Sequence, residues 1–232
     1  MISPVNTAII SCSFGRSFDS VYPAPHPNSF FVSNNPDIKD HCYRNGWKFL
    51  LCTSHPLVSS YRISSMQAKY VKFLQFFTEF HELSHYDHLV YSDHKFFIKQ
   101  DHIKYILDTH KRDKRILIRN TPRLKTTLQD EIDDAIKQDR YSKSMPQTLE
   151  WISQIKKERS IKEEVRIMNT GIISYYRYDQ VLELLAETYE TVWKLAQPEC
   201  QIIWACLSQE YSHHIQSIEW SDLDPQWRLP SK

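Results

Sequence analysis

The sequence is short of glycine: among 232 residues there are only 3, Gly15, Gly46 and Gly171. With so few, neither a G-x-G-x-x-G fingerprint nor a Walker A loop can be written. Any phosphate group would have to be held by side chains, a metal ion or helix ends. The 5 cysteines, Cys12, Cys42, Cys52, Cys200 and Cys206, are odd in number and form no C-x-x-C pair. This usage predicts free, mostly buried thiols in a reducing compartment, hence a cytoplasmic location. Net charge is +1, so the whole-molecule field favours neither nucleic acid nor a membrane surface. No apolar run approaches the roughly 18 residues of a transmembrane span. The start, Met1-Ile2-Ser3-Pro4-Val5, lacks the basic region and apolar core of a signal peptide.

The apolar fraction is 41% and the charged fraction 25%, which is a globular composition, long enough for one sizeable core. No repeat, low-complexity tract or linker interrupts it, so residues 1–232 are expected to form a single domain. Thr7 to Phe14, Ser29 to Asn35 and Trp47 to Cys52 read as strands, with a short helix from Asp37 to Asn45 closed by Gly46. A helix capped by Ser64 or Ser65 is expected to run to about His81 or Leu83. The central strand is Leu89-Val90-Tyr91, ending in the polar run Ser92-Asp93-His94-Lys95. Further strands are expected at Arg115 to Arg119, at Val165 to Met168 and Gly171 to Tyr176 around a break, and at Ile215 to Trp220. Helices are expected to start at Asp101, Thr127, Met145, Asp179 and Pro198. Alternating strands and helices imply an α/β fold with a mixed, mainly parallel sheet. Ligands of such sheets sit outside the carboxyl ends of the strands, which is where Asp93 falls.

Five clusters carry possible chemistry. Asp93 can bind Mn²⁺ or Mg²⁺, with Lys95 beside a phosphate, or it can end in a simple surface turn. Facing a polar cleft, it is expected to have no buried partner. Asn169-Thr170-Gly171 offers hydrogen bonds to a hydroxylated ligand, or is a hairpin turn. Gln201 and Trp204 suit sugar recognition, or sit on an ordinary amphipathic helix. His81-Glu82-Leu83-Ser84-His85 matches the zinc-protease pattern H-E-x-x-H, but the strand that follows leaves no room for its helix. The basic loop from Arg119 to Lys125 could clamp an anion, or is simply solvated.

Taken in order, these residues resemble the GT-A fold glycosyltransferases, compact stand-alone domains of the bacterial polysaccharide or large algal virus type. Ser11-Cys12-Ser13-Phe14-Gly15 resembles their nucleotide-side strand, and Tyr91-Ser92-Asp93-His94-Lys95 stands where they carry D-x-D. Only one acid is present here, so the motif is incomplete. The resemblance implies a nucleotide diphosphate sugar as donor, with UDP as the nucleotide, and a glycan or glycoprotein acceptor. Asp93 would hold the metal and diphosphate, with Lys69 and Lys95 neutralising charge. Ser11, Ser13, Phe14 and Asn34 would line the nucleotide side, and Asn169, Thr170 and Gln201 the sugar or acceptor. A base for the acceptor hydroxyl could be Asp130, Glu131, Asp179 or Glu199. A sugar-1-phosphate nucleotidyltransferase, a zinc protease and a non-catalytic glycan- or nucleotide-binding module are the alternatives.

Overall fold

The computed structural model describes residues 6–18, 21–122, 125–177, 179–224 and 226–227. Arg123 of the basic loop, the first five residues and the side chain of Asp179 lie outside this description. β1 spans Thr7–Cys12, β2 Ser29–Ser33 and β3 Lys48–Leu51, with α1 (Lys39–Arg44) between the last two. Next come α2 (Tyr61–Lys72), β4 (His88–Ser92), β5 (Phe96–Phe97), α3 (Gln100–Thr109) and β6 (Ile116–Asn120). Then follow α4 (Leu128–Ile136), α5 (Asp139–Ser142), α6 (Met145–Glu158) and β7 (Met168–Tyr176). The described chain closes with α7 (Asp179–Lys194), α8 (Cys200–Leu207), β8 (Ile215–Ile218) and β9 (Gln226–Trp227).

Seven strands form one sheet in the order β3-β2-β1-β4-β7-β6-β8. β7 runs antiparallel to both of its neighbours, β4 and β6, and the remaining pairs are parallel. Every residue of β1, β2 and β4 is buried. Helices cover both faces, which is why these strands read as near-continuous apolar runs. On one face Ala8, Ile10, Leu89 and Tyr91 meet Val71, Leu184 and Trp204 from α2, α7 and α8. On the other, Ile9, Phe31 and Val90 meet Cys42 of α1 and Ile103 and Ile106 of α3. Leu128, Ile132, Ile152 and Ile202 make a third cluster, joining α4 and α6 to α8. All five cysteines are buried free thiols, as expected. Among the described residues no helix is long and apolar enough to cross a membrane.

Two expected elements fall differently. α2 is capped by Ser60, whose hydroxyl accepts from the Ile63 amide, and it ends at Lys72, not near His81. Phe73, Leu74, Phe76 and Phe80 are all buried. Leu74, with a φ of 55°, turns the chain out of the helix. The early stop places Lys69 and Lys72 in the last turn of α2, at the carboxyl edge of the sheet. β7, for its part, is one continuous strand with no break at Asn169-Thr170-Gly171. The irregularity survives as a bulge: Ile118 pairs with Ile173, yet the next residue, Arg119, pairs with Asn169. Bulges re-aim side chains, and here Asn169 and Thr170 turn toward the strand ends. Gly171 is needed at this point, because a Cβ would lie 2.5 Å from Phe96 Cε2 and 2.9 Å from Asn169 Oδ1. Phe96 is itself buried beneath the Arg119 guanidinium, 4.8 Å away. Gly171→Ala is therefore expected to cost about 1–3 kcal/mol of overpacking, read as a lower urea midpoint. An unchanged midpoint would show that the Phe96 ring has room to yield.

At the opposite end of β4, His88 and His110 form a buried pair. The rings lie 3.1 Å apart between Nε2 and Nδ1, with Ser174 Oγ 2.7 Å and 2.9 Å from those same two atoms. His110 Nε2 donates to the Lys114 carbonyl at 2.9 Å. Burial pushes His88 down to about 3 and His110 down to about 4, so both are neutral in the fold. In the unfolded chain both would gain protons below about 6.5. Their contribution is thus whole above that value and is lost as pH falls from 6.5 toward 4. Between pH 7.5 and 5, stability should fall by about 2–4 kcal/mol, measured by urea titration. Asp93 and Glu79, both held below the usual carboxylate range, act only at lower pH. A flat profile across this window would contradict the buried neutral pair.

Candidate active site

The carboxyl ends of β1 and β4, the last turns of α2, the bulge of β7 and the start of α8 enclose a cleft of about 410 Å³. Cys12, Ser13 and Phe14 form one wall, Lys69 and Lys72 the floor, and Asn169, Thr170 and Gln201 the far wall. Gly15 closes the loop after β1 with a φ of 91°, where a Cβ would lie 2.1 Å from Ser64 Oγ. Asn34 Oδ1 accepts from the Gly15 amide at 2.8 Å, and its amide donates to the Pro56 carbonyl at 2.8 Å.

Asp93 lies at the centre. Its Oδ1 accepts from Tyr91 Oη at 2.7 Å and pairs with Lys72 Nζ at 3.1 Å. Its Oδ2 faces Lys95 Nζ at 3.6 Å. The Asp93 amide donates to the Gly171 carbonyl at 2.8 Å, locking the residue to the bulge. Burial opposes its charge, but Lys72, Lys95 and Lys69 outweigh that and hold it well below the usual carboxylate range. Lys72 is buried too, and Asp93 overcomes the burial to keep the ammonium charged. The expectation that Asp93 has no buried partner is therefore corrected. Helix α2 ends at Lys72, nine residues before His81, with Lys72 against Asp93.

Lys69 is 8% exposed and lines the cleft, yet its ammonium makes no hydrogen bond or ion pair among the described residues. That ammonium is not sealed from solvent; it faces the cleft, adds to the positive field on Asp93 and can meet an anion there. Arg140 adds a fourth cation at the mouth, where its Nη1 donates to Tyr61 Oη at 3.1 Å.

On the far wall the amides form a relay. Asn169 Nδ2 donates to Gln201 Oε1 at 3.0 Å, and Gln201 Nε2 donates to Glu131 Oε1 at 2.9 Å. Glu131 is held behind Gln201 by Lys125. Thr170 Oγ1 sits 3.3 Å from Cys200 Sγ. Glu199 lines the cleft and caps α8, accepting from the Gln201 amide at 3.1 Å.

Asp93, Ser13, Phe14, Lys69, Lys95, Asn169, Thr170 and Gln201 thus converge on one cleft. Four other sequence-derived positions do not line it. Ser11 belongs to the opposite face of β1, where its hydroxyl donates to the Ser92 carbonyl at 2.8 Å. Asn34 shapes the loop behind the wall. Asp130 is exposed and caps α4, accepting from the Thr126 and Thr127 amides at 3.0 and 2.9 Å. Glu131 is buried behind Gln201. Of the acids considered as base, Glu199 is the one on the wall; the Asp179 side chain is not described. Lys72 stands with Lys69 in the basic last turn of α2, which the resemblance places before the Asp93 strand; Arg140 carries no motif of its own and lines the cleft from α5.

The Mn²⁺ or Mg²⁺ implied on Asp93 meets a donor set that does not fit it. Such ions take one or two carboxylates beside substrate phosphates. Here the single carboxylate already faces Lys72 and Lys95. Among the described residues no three His, Cys, Asp or Glu side chains group to hold a metal. The H-E-x-x-H stretch forms one 3-10 turn, His81–Leu83, with His81 and His85 exposed. His81→Gln with His85→Gln is expected to keep any transferase activity within about tenfold, roughly 1.4 kcal/mol of barrier. A larger loss in the folded double variant, together with loss of bound zinc, would contradict this.

No family model matches the chain, and no curated protein matches it. Solved structures similar in fold include mouse xyloside xylosyltransferase 1, at 9% identity and TM-score 0.49 over 92% of this chain and 85% of that one. Another is a glycosyltransferase involved in glycosylation of the major capsid of PBCV-1, at 9% identity and TM-score 0.38 over 80% and 67%. A third is 4-diphosphocytidyl-2C-methyl-D-erythritol synthase from Anaerococcus prevotii, at 9% identity and TM-score 0.46 over 97% and 91%. The likeness lies in the α/β arrangement alone.

Proposed function

We propose that the protein is a glycosyltransferase that moves a sugar from a nucleotide diphosphate sugar, with UDP as the nucleotide, to a glycan hydroxyl. The observation that carries this reading is Lys69, whose ammonium faces a strand-end cleft with no hydrogen bond or ion pair among the described residues. In this reading Ser13 and Phe14 face the nucleotide, and the lysines face the diphosphate. Asn169, Thr170 and Gln201 offer hydrogen bonds to sugar hydroxyls. The acceptor oxygen forms the new bond to the anomeric carbon while the bond from that carbon to the diphosphate oxygen breaks. The leaving diphosphate keeps the electron pair and is stabilised by cations fixed in advance, and Glu199 takes the hydroxyl proton. Most of the rate enhancement would come from positioning and electrostatics.

The test is a thermal-shift screen of UDP-, GDP- and CMP-linked sugars, followed by assay of nucleotide release with and without glycan acceptors. Acceptor-stimulated release of UDP is the expected result. Pyrophosphate release from a nucleoside triphosphate and a sugar phosphate would instead mark a nucleotidyltransferase, and binding without turnover a non-catalytic module.

A further inference from the structure

We infer that the cleft holds its diphosphate directly on lysine, with no divalent cation, and that Asp93 is the counter-ion of Lys72 and not a metal ligand. The inference rests on the reading of the cleft as a nucleotide-diphosphate site and specifies how that site recognises charge.

Three observations carry it. First, both oxygens of Asp93 are already engaged, Oδ1 by Lys72 and Tyr91 and Oδ2 by Lys95. A metal bound through Oδ2 would displace Lys95, and one bound through Oδ1 would displace Lys72, whose side chain is only 4% exposed. The ammonium would be left buried without its partner, the costly outcome for a broken buried pair. Secondly, Lys69 lines the same cleft, and its ammonium makes no hydrogen bond or ion pair among the described residues. It meets a phosphate oxygen as a charge-assisted donor. Thirdly, the wall carries Lys69, Lys72, Lys95 and Arg140 against Asp93 and Glu199. A diphosphate diester has one negative charge per phosphate, which matches that positive surplus. Adding a divalent cation would leave the cleft strongly overcharged.

The experiment is isothermal titration of the full chain with UDP and with inorganic pyrophosphate, in EDTA and in Mn²⁺. The expected result is binding in EDTA within about threefold of that in Mn²⁺, weakening as salt is raised. Lys69→Met should weaken both probes in EDTA by about tenfold or more. It removes a charge without stranding one, so folding is not at issue. Binding of UDP strengthened more than about tenfold by Mn²⁺ and lost in EDTA would overturn the inference while leaving the nucleotide reading intact. Unchanged affinity in Lys69→Met would overturn it as well. No binding of either probe in either buffer would overturn both this inference and the nucleotide-diphosphate reading.

Discussion

Asp93→Asn is expected to melt well below the wild-type protein, and removing Lys72 in the same chain should restore most of the loss. Asn keeps the size and one carbonyl oxygen but removes the charge. Lys72 Nζ, 3.1 Å from Oδ1 and on a side chain only 4% exposed, then loses its main compensation. The Tyr91 hydroxyl bonded to the same oxygen loses a charged acceptor. Deleting one partner of a buried pair costs about 3–5 kcal/mol, whereas replacing both with apolar groups is often neutral. In a chain of this size that is roughly 6–20 °C of melting temperature. The comparison is thermal and urea unfolding of D93N, K72M and the double variant. A coupling near zero in that cycle would show that the pair contributes nothing. The contribution is present above the ordinary aspartate range and fades only as pH drops below about 4, since the folded value is depressed. The assay must therefore be run near neutrality.

How far the sequence revealed this site depends on how local each signal is. β1, β2 and β4 were legible because strands buried on both faces leave contiguous apolar residues, and Asp93 because it follows such a run. Ser13, Phe14, Asn169 and Thr170 were legible as polar or aromatic residues at strand edges. Of the partners of Asp93, Lys95 was legible beside it, but the contact with Lys72 was not. Lys72 reaches it only because α2 stops before Phe73, and the stop depends on where Phe73, Leu74, Phe76 and Phe80 find a core. Periodicity carries no record of that. Asp130 shows the opposite failure. An acid in the first turn after Thr127 is what a capping box uses, and that local role leaves it facing solvent. Ser11 and Ser13 fall on different sides of the cleft wall because the strand ends between them, at Cys12. The bulge of β7 was visible as a polar interruption, but its effect needs the register with β6, a long-range fact.

Lys69→Met should abolish most turnover while leaving the fold about as stable as before. The side chain is 8% exposed, and its ammonium has no hydrogen bond or ion pair among the described residues. Methionine reproduces most of the length of the stem without the charge and fills irregular space well. Removing a cleft-facing charge that makes no hydrogen bond or ion pair leaves folding little changed. With the donor bound, the same ammonium would stand against the departing diphosphate, where charge grows along the reaction. Losing one such preorganised contact costs about 10²–10³ in rate, roughly 3–4 kcal/mol. The expected pair of readings is thus a fall of that size in kcat/KM for UDP release and a melting temperature that does not drop. Lys69→Arg, which keeps the charge on a longer fork, should recover part of the rate. A lysine with a purely structural role would give the reverse: a lower melting temperature, with kcat/KM of the folded fraction unchanged. That outcome would take Lys69 out of the site, and with it the observation on which the transferase reading stands.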